Sequence, residues 1–401
     1  MSWCIIHTRI LNDHESFVVD SVNEVLYVYG GIRGGDLAEK PTNDFYRLNM
    51  ETLRWENLTD MLRYVPDTRT VTLDSFYDLP KKGLPALNHT AYTVFHRNGH
   101  PLLMIFGGFD GDSSTAGLIC VDPTNRTWSN VVLAGRAPRP RIDAAIVAHK
   151  NSLFIFGGRE EPGDIRAAKV ISTYSVATLG ESGQWTWSVT DERMPNLGSH
   201  IQACPVYGGK MILLTAGRMD KETTTLSAKT SFEFHTESHT FQPQYTRGVF
   251  PGDMAWHRLF SIEHLTPPSS PRSPDSPNRP AKRARKEEEA PQRLPPSALI
   301  IGWMKHGSED LVPEAWQYML HPEQRVACLQ IKHAVYDLEL DLQDFVVVGN
   351  QMLLLGNASA AGEERKERVG QAYGDLQANG AKWKRWEVAI EIPFGDLELT
   401  S

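Results

Sequence analysis

The sequence predicts an all-β protein built by repeating a small antiparallel sheet, and three stretches carry that reading. "LYVYGG" at 26–31, "LLMIFGG" at 102–108 and "LFIFGG" at 153–158 resemble one another, each an apolar run that stops at paired glycines. A short hydrophobic segment ending this way reads as a buried strand followed by a tight turn, because glycine alone enters positive φ freely. Three such runs in one chain are a repeat, and its unit is a sheet.

The residues after each glycine pair extend the unit. Behind Gly30 and Gly31 comes "NDFYRLNMETLRW", in which Asp44, Tyr46, Leu48, Asn49, Thr52 and Trp55 trace a strand, an Asx-containing turn and a further strand. Behind Gly107 and Gly108 comes "GLICVDPTNRTW", with Val121, Asp122, Thr127 and Trp128 in comparable places. This order resembles the kelch repeat. The resemblance implies that each unit of roughly 50 residues is a four-stranded blade of a β-propeller. We expect six blades, closed by an N-terminal strand. Inner strands of such blades are covered on both faces and read as continuous apolar runs, while the outer tryptophan fills the wedge that opens between splaying blades.

In chain order, residues 2–10 have no glycine pair and suit the closing strand, which would remove an open sheet edge. Blade one spans about 14–60. An insertion at 61–83 follows, whose Tyr64, Phe76 and Tyr77 make it a candidate binding loop, with packing on the propeller flank as the alternative. Blade two covers 84–133, with His89 ahead of its inner strand, and blade three covers 137–190. In "RAPRPR", Arg136, Arg139 and Arg141 precede an inner strand, where arginine either ties blades together through carbonyls or meets an acidic partner. The pattern then decays. Blade four (194–246) has Ala216 and Gly217 for the glycine pair and Phe241 for the tryptophan; blade five starts at 254–265 and resumes at 298; blade six ends in "KWKRWEVAIEI". The resulting division is 1–264 for blades one to four, the closing strand and the first strand of blade five, 265–297 for an inserted loop, and 298–401 for the remainder.

Residues 265–297 are dense in proline, serine and charge, a composition that cannot bury enough apolar surface to order itself, so a disordered loop is expected. Lys282, Arg283, Arg285 and Lys286 form a compact cluster after Pro280 that resembles a nuclear import signal, for which 280–286 would meet an import receptor. Ser270, Ser273 and Ser276 each precede proline, and phosphates there would add about -1.5 to -2 charge apiece beside those cations. Glu287, Glu288 and Glu289 follow at once, so a solvated polyampholyte is the competing reading.

Composition narrows the function classes. The net charge of -8 argues against a general nucleic-acid surface, and direct nucleic-acid binding is not expected. No apolar run of about 18 residues occurs, and His7 and Arg9 stand too early for a signal peptide, so an intracellular protein in nucleus or cytoplasm is expected, without membrane contact. Cys4, Cys120, Cys204 and Cys328 are far apart in apolar, strand-like settings, which suits reduced core thiols. The 14 histidines show no metal-ligand spacing, and no nucleophile elbow or phosphate-cradling loop is present, so neither metal nor cofactor is expected.

The function that the resemblance implies is recognition of another protein by loops on one face. Arg33, Phe109, Arg159 and Arg218 follow the glycine turns and, with Arg139, are candidate contacts in loops 33–43, 109–117 and 159–169. The reading is a non-enzymatic scaffold or recognition module. The alternative is an oxidase, hydrolase or lyase with its site at the channel mouth.

Overall fold

The computed structural model describes residues 4–5, 16–20, 22–33, 40–52, 54–66, 83–160, 169–198, 200–215, 231–244, 247–248, 254–263, 297–306, 310–320, 325–331, 340–348, 351–358, 386–393 and 397–399. The described strands form six sheets of four or more strands and one two-stranded ribbon. Five sheets are built largely in chain order, and the sixth joins the two ends of the chain.

The first sheet runs Ser16–Asp20, Val25–Tyr29, Phe45–Asn49, Arg54–Asn57, every neighbour antiparallel. The second repeats this with Ala91–Arg97, His100–Phe106, Leu118–Asp122 and Thr127–Asn130, and the third with Ala145–His149, Ser152–Phe156, Thr173–Leu179 and Trp185–Arg193. Gln202–Val206, Met211–Thr215, Ser231–His235 and Phe241–Pro243 make the fourth. The fifth is Met254–Ser261, Ser297–His306, Asp310–Met319 and Arg325–Ile331, with Leu397–Leu399 added to its outer strand. In the sixth, Leu340–Val348, Gln351–Ala358 and Trp386–Pro393 are completed by Cys4–Ile5, which pairs antiparallel to the outer strand through Cys4 opposite Ala389. Inner strands lie side by side from the first sheet through the fifth, and the inner strand of the sixth lies beside that of the first.

Not every sheet stops at the expected four strands. Arg63–Tyr64 joins the second sheet parallel to Thr127 and Trp128, Leu133–Ala134 joins the third parallel to Trp185 and Thr186, and Arg247–Gly248 joins the fifth parallel to Arg325 and Val326. Each added strand belongs to the connection that enters its sheet. It hydrogen-bonds the outer edge before the chain turns inward, and an edge so covered offers no template for a foreign strand.

The core lies between sheets. Trp128, in the outer strand of the second sheet, is buried with Tyr27, Tyr29 and Phe45 of the first; Trp185 and Trp187 of the third meet Phe95 and Phe106 of the second, with ring centroids 5.3 and 6.0 Å apart. Phe241 holds the same place in the fourth sheet, 5.5 Å from Tyr174 of the third. An aromatic residue on each of these outer strands therefore fills the wedge against the preceding sheet, and phenylalanine suffices where tryptophan is missing. Among the cysteines whose side chains are described, Cys120 and Cys204 are in no disulfide, and Cys204 is buried with its pKa pushed up by burial and by Glu263.

Candidate functional site at the mouth of the ring

The two rims of the ring differ. Because inner strands start and second strands end on one rim, that rim carries the segments after the glycine pairs and the connections between sheets. The opposite rim carries tight hairpin turns, with Glu24, Asn98, Lys150, Arg126 and His239 in left-handed conformation at φ 51 to 55°. The loop-bearing rim is the mouth.

Left-handed glycines shape it. Gly107 and Gly108 have φ of 68 and 100°, and a side chain on Gly107 would run into the carbonyl oxygen of Arg141, in the connection to the next sheet. The glycine therefore serves both turn and close approach, as expected of an architectural residue.

Three further left-handed residues lack that excuse. His89, Asp143 and His200 have φ of 53, 54 and 57°, and each stands two residues before an inner strand, in three consecutive sheets. Left-handed backbone costs a non-glycine residue about 1–2 kcal/mol, least for Asn, Asp and His, so a repeated occurrence needs a cause. Their side chains converge. His89 Nδ1 lies 2.8 Å from Asp143 Oδ1, His200 Nε2 lies 3.3 Å from Asp143 Oδ2, and Arg159 Nε donates to the same Oδ2 at 2.6 Å. Asp143 is also tied by its backbone, N–H to His89 carbonyl at 3.1 Å. Burial works to raise the Asp143 pKa, but His200, His89 and Arg159 outweigh it and hold the carboxyl well below the usual range. The result is an ionised carboxylate that binds groups from the second, third and fourth sheets.

A second polar set lies beside it. Arg141 is fully buried; it pairs with Asp191, donates from Nη1 to the Gly157 carbonyl at 3.0 Å and from Nε to the Arg139 carbonyl at 3.1 Å. From the fifth sheet, His257 bonds Thr215 Oγ1 at 2.9 Å, and burial, with Arg258 and His200 adding, brings its pKa down to about 4. His257 is therefore neutral at physiological pH.

The candidate residues divide accordingly. Arg159 is at the mouth and buried, its guanidinium committed to Asp143. Arg139 is there too, half exposed, between Glu160 at 3.3 Å and Asp191 at 3.7 Å. Phe109 reaches the mouth through backbone bridges to Asn88 and Ser114. Arg33 has its backbone in the ribbon Ile32–Arg33 with Lys40–Pro41, its side chain outside the described residues. Tyr64 is elsewhere: its ring packs at a tilt against Trp128, centroids 4.8 Å apart, on the outer flank of the second sheet. Arg218, Phe76, Tyr77, Ser270, Ser273, Ser276, Lys282, Arg283, Arg285 and Lys286 lie outside the described residues. The histidines show no metal-ligand spacing along the chain, yet the fold brings ligand atoms of His89, Asp143 and His200 within 4.8 Å of one another. Chain spacings of 54 and 57 residues hid that cluster. Its signal was the shared position two residues before successive inner strands.

Repeated four-stranded sheets, glycine-pair turns and inter-sheet aromatic wedges define a kelch-type β-propeller. A family model described as the KLHDC2/KLHL20/DRC7 Kelch-repeats domain matches residues 63–265, and one described as Kelch motif matches 16–62. The chain belongs to the kelch-repeat family, whose domains are generally protein-interaction modules. It is 42% identical over 50 residues to protein tag-53 of Caenorhabditis elegans, covering 12% of this chain and 4% of that protein. It is 27% identical over 146 residues to the Rho GTPase-activating protein gacHH of Dictyostelium discoideum, covering 35% of this chain and 8% of that one. The chain thus spans less than a tenth of the length of either relative.

Proposed function

We propose that this propeller is a non-enzymatic recognition module that captures another protein on its mouth, and that the segment 265–297 regulates its access to the nucleus. The observation that carries the first part is the asymmetry of the rims. Tight turns close one side, while the other presents long connections over a base of fixed charges at Asp143, Arg159, Arg139 and Glu160. Rigid footing under variable loops is what recognition surfaces use, because little order has to be imposed on binding. The ion pairing of Asp143 with Arg159 suits a brace better than a proton-transfer group, which favours recognition over the oxidase, hydrolase or lyase alternative.

Affinity capture of the tagged full chain from cells, compared with a variant replacing 160–169 by a Gly/Ser linker, tests the first part. A defined partner enriched by the native chain and lost from the variant is the expected result; equal capture by both contradicts it. For the second part, alanine at Lys282, Arg283, Arg285 and Lys286 in a fluorescent fusion should shift the protein toward the cytoplasm, and an unchanged distribution would sink the import reading.

A further inference from the structure

We infer that His89, Asp143 and His200 form a binding site for one divalent first-row transition ion, zinc foremost. The argument stands on donor chemistry and geometry. Two imidazole nitrogens and one carboxylate oxygen are a ligand set that zinc takes at about 2.0–2.2 Å per bond, which places neighbouring ligand atoms about 3–3.5 Å apart. Here His89 Nδ1 to Asp143 Oδ1 is 2.8 Å, His200 Nε2 to Asp143 Oδ2 is 3.3 Å, and all three donors fall within 4.8 Å. An ion seated among them would replace the contacts that Asp143 makes to the two imidazoles and draw together donors that lie within 4.8 Å of one another.

The surroundings fit an open site. The His200 side chain is 33% exposed, so an ion enters from the mouth, and solvent or a partner's side chain completes the coordination. Arg159 holds Asp143 through Oδ2, which turns Oδ1 toward His89 and fixes the carboxylate in the manner of an outer-shell partner. Its positive charge also opposes the ion, which sets the affinity below that of a closed structural zinc site. The site rests on three separate sheets, so occupancy would lock the second, third and fourth together at the mouth.

The test uses the full chain after treatment with a chelator, titrated with zinc by calorimetry and with cobalt by visible absorption. The chain holds other histidines and cysteines, so the reading is the difference from two variants, His200→Ala and His89→Gln. The native protein should bind one more equivalent than either variant, or bind it at least about tenfold more tightly, with cobalt bands of nitrogen and oxygen coordination. Identical titrations for native protein and His200→Ala overturn the inference. Since His200 is partly exposed, that variant decides the matter even where His89→Gln fails to fold. The readout is the metal alone and does not depend on the recognition reading; loss of partner capture without loss of zinc would count against only that reading.

Discussion

At the residue scale, two buried groups set how the fold responds to acid and to charge removal. His257 has its pKa brought down to about 4 from 6.5, so between those values the unfolded chain binds a proton that the folded chain refuses. Stability from this group is complete above about pH 6.5 and is lost as pH falls toward 4, a loss of about 3 kcal/mol from the size of the shift. Replacing His257 by Gln should flatten the dependence of melting temperature on pH across that window; an unaltered slope would show that another group controls it. Asp143 is depressed as well, but from the carboxylate range, so its contribution is present at neutral pH and is lost only as pH falls through its low folded value. Asp143→Ala leaves Arg159 buried without its counter-charge, and urea unfolding should show a loss of about 3–5 kcal/mol. Neither residue was legible as special in the sequence, because what perturbs them arrives from other sheets. Arg141 was legible in part: an arginine ahead of an inner strand was expected either to tie blades together through carbonyls or to meet an acidic partner, and its guanidinium holds the carbonyls of Gly157 and Arg139, within its own repeat, beside Asp191.

At the element scale, the glycine-pair turn is where sequence and structure agree most closely, because glycine's freedom at positive φ is a local property that needs no tertiary context. Two substitutions separate its components. Gly99→Ala meets open space at φ 80° and should cost only the left-handed penalty of about 1–2 kcal/mol. Gly107→Ala pays the same penalty and drives its methyl into the Arg141 carbonyl, so its loss should be clearly larger. Equal losses in denaturant titration would mean that the approach between sheets relaxes freely. The parallel edge strands were not legible. A two-residue strand such as Arg63–Tyr64 has no periodicity to read, and Tyr64, one of the three aromatic residues that suggested a binding loop, packs on Trp128.

At the scale of the whole molecule, ring closure depends on Cys4–Ile5 pairing with Trp386–Pro393, an arrangement expected from an N-terminal strand without its own repeat. Deleting residues 1–10 should lower the melting temperature by several degrees and promote association through the opened edge; a truncated chain that stays monomeric and equally stable would show that this pairing carries little. The repeat made the architecture readable through the third sheet, and weaker glycine signals blurred it afterwards. The His89, Asp143 and His200 cluster was hidden for a different reason, since it exists only when three sheets are placed side by side. If a partner binds at the mouth as proposed, hydrogen exchange on a captured complex locates it there. Protection confined to 88–90, 107–117, 139–143 and 157–160 is the predicted result; protection confined to the opposite turns at 97–100, 122–127 and 149–152 would contradict it.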